Sequence, residues 1–93
     1  MAFVITRDFF AESDPTGQTK SSAGVVGPNG TVMSKDAIKA VGIRFRMYDD
    51  DKQLCYEGKH VGSDQFEPLD CFGAPNLGCT EIRYLEKGVW KPL

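Results

Sequence analysis

The chain has no long apolar run, one histidine, three cysteines and almost no excess of either charge. Each shortage excludes something. The opening stretch, MAFVITRDFF, is too short an apolar segment for a signal peptide and is interrupted by Arg7 and Asp8. Nothing approaches the roughly 18 apolar residues a membrane span requires. Three cysteines at irregular spacing, without a secretion signal, point to reduced thiols rather than a disulfide framework. These features predict a soluble, cytoplasmic protein with no membrane association. The net charge of −2 argues against general nucleic-acid binding, because a basic patch that neutralises phosphates is what supplies such affinity. Residues 1–42 balance four basic against four acidic side chains, and residues 43–93 carry seven against nine.

The 93 residues make a single domain, 1–93, with a modest core. The clearest period lies in Ile43 to Val61, IRFRMYDDDKQLCYEGKHV. Ile43, Phe45 and Met47 alternate with Arg44, Arg46 and Tyr48. Beyond the acidic turn, Leu54, Tyr56 and Gly58 alternate with Cys55, Glu57 and Lys59. Alternation of this kind places one strand face on a core and the other in water, and two such runs around a polar turn read as a β-hairpin. A second hairpin is expected over 80–92, with Ile82 and Tyr84 facing inward and Glu86-Lys87-Gly88 as a three-residue bulged link. Ala2 to Phe10 reads as a first strand that bends or ends at Phe9 and Phe10. Gly27-Pro28-Asn29-Gly30 has turn chemistry, with Pro at the first central position. One short helix is expected near 34–41, capped by Ser34, stapled by Met33 and Ile38, and ended by a left-handed Gly42.

Residues 12–24, ESDPTGQTKSSAG, read as a mobile surface loop. The irregular stretch 62–78 carries Phe66, Leu69 and Phe72, so it is expected to wrap over the core as coil, with Phe45 and Phe66 inside. The architecture predicted is therefore α+β and mostly β: a small antiparallel sheet of about five strands, hairpins 43–61 and 80–92, and one short helix. A meander order is the first expectation and a small open barrel the second.

From Arg44 onward the chain resembles a group of short bacterial proteins with no known activity. The residues that carry the likeness are RFRMYDDD at 44–51, YEG at 56–58 and FEPLDCFGAPNLGCTEIRY at 66–84, with Trp90 near the end. The resemblance implies a bacterial or mobile-element origin and a shared compact fold, and carries over no catalytic residue.

Several constellations bear on chemistry. Asp49, Asp50 and Asp51 would offer carboxylates to a hard cation such as Ca²⁺, which takes six to eight oxygens; the plainer account is a solvated turn. Cys55, His60, Cys71 and Cys79 invite zinc, but with four, ten and seven intervening residues they lack a Cys-x₂-Cys knuckle, and strand parity puts Cys55 and His60 on opposite faces. Cys71 or Cys79 with His60, oriented by Asp64 or Asp70, is the available nucleophile–base set. Glu57, Glu67 and Glu81 could pair as acid and base. Arg44, Arg46, Arg83 and Lys59 could form a basic strip for RNA with Tyr48 stacking, or could pair across strands with Glu57 and Glu81. The expectation is a non-enzymatic protein without metal or cofactor. It would act on a protein partner or on itself through a sheet edge, the 71–78 loop and the surface residues Tyr48, Asp49, Asp50, Asp51, Phe72, Asn76 and Trp90. The alternative is a small ligand- or metal-binding module using the 49–51 turn or the Cys/His set.

Overall fold

A computed structural model describes residues 1–62 and 65–93. In chain order these form β1 (Ala2–Asp8), α1 (Phe9–Glu12), β2 (Val26–Gly27), α2 (Lys35–Val41), β3 (Ile43–Tyr48) and β4 (Leu54–Val61). A π-helical turn (Leu69–Gly73), α3 (Ala74–Leu77), β5 (Glu81–Glu86) and β6 (Val89–Pro92) follow. The six strands make one antiparallel sheet in the order β2-β1-β4-β3-β5-β6. The α+β, mostly-β class and both hairpins are as the sequence predicts.

The order is not a meander. β1 pairs with β4, and β4 pairs with β3. So β1 and β3 run parallel, with β4 between them, and the chain joins them through α2. This is a split β-α-β crossover. It requires a helix to lie over the sheet, and α2 meets that need. Ser34 caps it by accepting from Ala37 N–H at 3.1 Å. Ile38 is fully buried against Ala2 and Val4, and Met33 packs on the same cluster. Burying one such side chain contributes roughly 1.5–3 kcal/mol. Gly42 ends the helix, but not in the left-handed region: its φ is −73°. Glycine is needed there for space, since a Cβ would sit 2.6 Å from Ile38 O and 2.8 Å from Lys59 Cβ.

The main core lies on the other face. Phe3, Ile5, Phe45, Met47, Tyr56, Ile82 and Tyr84 point into it, and Leu69 and Phe72 cover it. That cover differs from the coil expected. Residues 69–77 are helical, and Ala74 N–H reaches back to Leu69 O across the π turn just before Pro75, which has no N–H to give. The helical phase directs Leu69 inward and leaves Phe66, in the preceding turn, 47% exposed. Phe66 is therefore not a core residue, whereas Phe45 is fully buried.

Two turns also differ in detail. β5 and β6 are joined by Lys87 and Gly88 alone, with Glu86 paired to Val89 and positive φ at both loop residues. That is the two-residue turn whose twist suits a hairpin. Near Pro28 the turn closes from Thr31 N–H to Pro28 O, one residue later than expected, and the Gly27–Pro28 bond is cis. β2 pairs with β1 rather than with the residues after the turn. In the 12–24 stretch, Asp14 accepts from the backbone and hydroxyl of both Thr16 and Thr19. Buried Asp8 accepts from Ala11 N–H and Ser22 N–H, which ties both α1 and this stretch to the end of β1.

Candidate interaction surface

Strand parity divides the side chains of β3, β4 and β5 into two sets. Phe45, Met47, Tyr56, Ile82 and Tyr84 go to the core. Arg44, Arg46, Tyr48, Glu57, Lys59, Glu81 and Arg83 go to the opposite face, since Arg46 stands across from both Glu57 and Arg83, and Tyr48 across from Glu81. Trp90 joins them, because it pairs with Leu85, two residues beyond Arg83. α2 packs on this face over β1 and β4, where Lys59 Nζ donates to Lys39 O. Over β3 and β5 the face keeps access to solvent: the Arg44 side chain is 44% exposed, and Arg46 and Arg83 are partly exposed.

Glu57 organises the open portion. Its Oε1 accepts from Arg46 Nε at 2.8 Å and from Arg44 Nη2 at 3.3 Å. The carboxylate is only 11% exposed, while Arg44 is 44% exposed. The Arg46 guanidinium lies 4.4 Å above the Trp90 ring and that of Arg44 5.5 Å from it. The bond to Glu57 raises the pKa of Arg46 above its ordinary value. Beside this group, Arg83 stands 4.6 Å over the Tyr48 ring and gives both Nε and Nη2 to Glu81, which Lys52 also meets. Arg83, and secondarily Lys52, hold the Glu81 carboxyl below the usual carboxylate range. Arginine stacked on an aromatic ring keeps its apolar plane covered and its N–H edges free for acceptors.

Of the surface residues singled out from sequence, Tyr48 and Trp90 therefore share this face. Asp49, Asp50 and Asp51 lie next to Tyr48 at the hairpin tip. Asp49 is turned inward: its Oδ1 accepts from Asp51 N–H and Gln53 N–H, both at 2.9 Å, and Lys52 adopts positive φ. Asp50 and Asp51 are exposed. Phe72 and Asn76 fall on the opposite side of the molecule. Phe72 packs edge-on to Tyr56 at 4.9 Å, and Asn76 Nδ2 donates to Phe72 O. Arg44 and Arg46 belong to the surface but were weighed in sequence only as an RNA strip or as cross-strand partners. The signal was there, since one glutamate faces two arginines spaced two apart. What parity does not reveal is that Trp90 stacks on them.

The cysteine and histidine set is not gathered. Cys55 is the extra residue of a bulge opposite Met47 and Tyr48, so it turns into the core on the same side as His60, contrary to strict parity. It contacts Cys79, and burial raises both thiols, Cys79 to about 12 with further help from Cys55. His60 Nε2 instead lies 3.2 Å from Glu67, beside Tyr84. Cys71 is exposed. Asp64, one of the two orienting groups considered for a triad, lies outside the described residues. Among the described residues no group of three or more His, Cys, Asp and Glu is placed to hold a metal, and no helix is long and apolar enough to cross a membrane. No family model matches the chain, and no curated protein or solved structure does either.

Proposed function

We propose that the protein is a non-enzymatic interaction module, bacterial or mobile-element in origin and cytoplasmic, that binds a protein partner through the open face of its sheet. The observation that carries the reading is the solvent-accessible stack of Arg44 and Arg46 on Trp90, with Arg83 over Tyr48 on the same face. Tryptophan, tyrosine and arginine are the residues that dominate protein interfaces when solvent is excluded around them. The sheet edges favour the face over edge pairing: β2 is two residues long, and β6 carries Lys91 and Pro92, which discourage strand addition. The non-enzymatic part rests on the thiols. Cys55 and Cys79 are held protonated by burial, which makes them weak nucleophiles.

The test is affinity capture with a tagged wild-type chain, a Trp90→Ala variant and a variant altered on the helical side, Asn76→Ala. The expected result is a partner retained by wild type and Asn76→Ala and lost by Trp90→Ala. Equal capture by all three would rule the face out. Sedimentation of the purified chain separates a foreign partner from self-association.

A further inference from the structure

Two guanidinium groups share a single carboxylate on the open face. Each guanidinium carries five N–H donors, and Glu57 accepts one from each through the same oxygen, Oε1. The neighbouring Arg83 is different, because its Nε and Nη2 are matched by both oxygens of Glu81. The Arg44–Arg46–Glu57 group is thus left with one uncompensated positive charge. Trp90 stacks on it at 4.4 Å from Arg46 and 5.5 Å from Arg44, and Arg44 and Trp90 both keep part of their surface in solvent. Taken together, Arg44, Arg46, Lys59 and Arg83 outnumber Glu57 and Glu81 on this face, although the whole chain carries −2. The excess is local and small.

Resting on the reading that this face binds a protein, we infer that the partner presents an acidic segment, whose carboxylate completes the Arg44–Arg46 pair while its flanking apolar surface covers Trp90. A carboxylate accepts two parallel N–H bonds from one guanidinium, so one incoming group would neutralise the remaining charge and find its donors already held in place by Glu57. The same observations disfavour a nucleic acid. A polyanion gains affinity by releasing counterions from several phosphates at once, and here one charge of the pair is in excess, on a chain that repels polyanions at longer range. A short acidic peptide needs only the local excess.

The chain has one tryptophan, so Trp90 fluorescence reports this face without a label. The experiment titrates the full chain, in low-salt buffer, with acetylated hexaglutamate, with hexalysine and with single-stranded decauridylate. The expected result is a saturable change of Trp90 emission with hexaglutamate alone, reversed by salt. Arg44→Gln should weaken it by about tenfold, the scale of one bond between charged groups. Glu57→Gln should strengthen it, since it removes the internal competitor. Because that variant also risks the fold, Arg44→Gln, at the more exposed arginine, is the deciding one. No saturable change, an equal response from Arg44→Gln, or tighter binding of decauridylate would overturn the inference. The two readings fail separately. If Trp90→Ala still loses the captured partner while hexaglutamate does not bind, the acidic chemistry is wrong and the face stands. If Trp90→Ala keeps the partner, the face itself is wrong.

Discussion

At the scale of single residues, Glu57 is the charge on which its two arginines depend. Glu57 is nearly buried and holds two cations, so Glu57→Ala leaves both without their carboxylate on a partly desolvated surface. A loss of about 1–3 kcal/mol is expected in urea unfolding. Arg44→Ala, at the more exposed partner, should cost no more than about 1 kcal/mol. Equal effects would mean that Glu57 acts by packing and not by charge. The thiols and Tyr56 make a second prediction. Burial raises Tyr56 and Cys79 to about 12 each, from ordinary values of 10.0 and 9.0. Both ionise in the unfolded chain before they do in the folded one. Their contribution is therefore intact below about pH 9 and is lost as pH rises toward 12. Urea midpoints should hold up to about pH 9 and fall between about pH 9 and pH 11, and a flat profile would count against the burial of both groups. Over the same range Cys71 should react with a thiol reagent well before Cys55 and Cys79, because only Cys71 is exposed.

At the scale of elements, the strands were legible where a polar face opposes an apolar one, as in Ile43 to Tyr48 and Glu81 to Glu86. The short helix was legible from Ser34 and the Met33–Ile38 staple. What was not legible shares a cause. Alternation assigns a side chain to a face but does not say which strands are neighbours, so the pairing of β1 with β4 was out of reach. Cys55 defeated parity through a bulge, which leaves no mark in composition. The 69–77 helical segment was obscured by Gly73 and Pro75, read as breakers. Yet Pro75 stands in the first turn of α3, where its missing N–H is harmless, and Gly73 lets Met47 Sδ approach. Of the surface set, Tyr48 and Trp90 could be chosen by residue type, while the stacking of Trp90 on Arg44 and Arg46 depends on β6 returning along β5. Two substitutions test elements directly. Ser34→Ala should cost about 1 kcal/mol through the lost cap. Gly58→Ala should cost several times more, because a Cβ there would run into Val4 O and sit 2.6 Å from the Phe45 ring. If Gly58→Ala melts like wild type, β1 and β4 are not as closely apposed as described.

At the scale of the whole molecule, the sheet has a protected centre and two weak margins. β4 and β3 are each bordered by strands on both sides, while β2 and β6 form the edges. Amide exchange should follow that order, slowest in β4 and β3 and fastest in β2 and β6, as local openings concentrate where few contacts hold the backbone. Early exchange in β4 would contradict the strand order. Charge is also distributed unevenly. The cationic side chains of β3 and β5 face one way, while exposed Asp50 and Asp51 gather at one hairpin end. The molecule is therefore polar in the electrostatic sense, despite a net charge near zero, and its association with an acidic partner should slow as ionic strength rises.

The split crossover has a consequence for how the chain is made. β1 ends at Asp8, but its long partner β4 begins only at Leu54. At ordinary elongation rates of roughly 5–20 residues per second, the segment with Phe3, Val4 and Ile5 waits seconds for β4, with only the two-residue β2 to pair with in the meantime. Strand β1 is thus made well before its long neighbour, and it is in that interval, before the native sheet can form, that the chain is most open to chaperones and to aggregation.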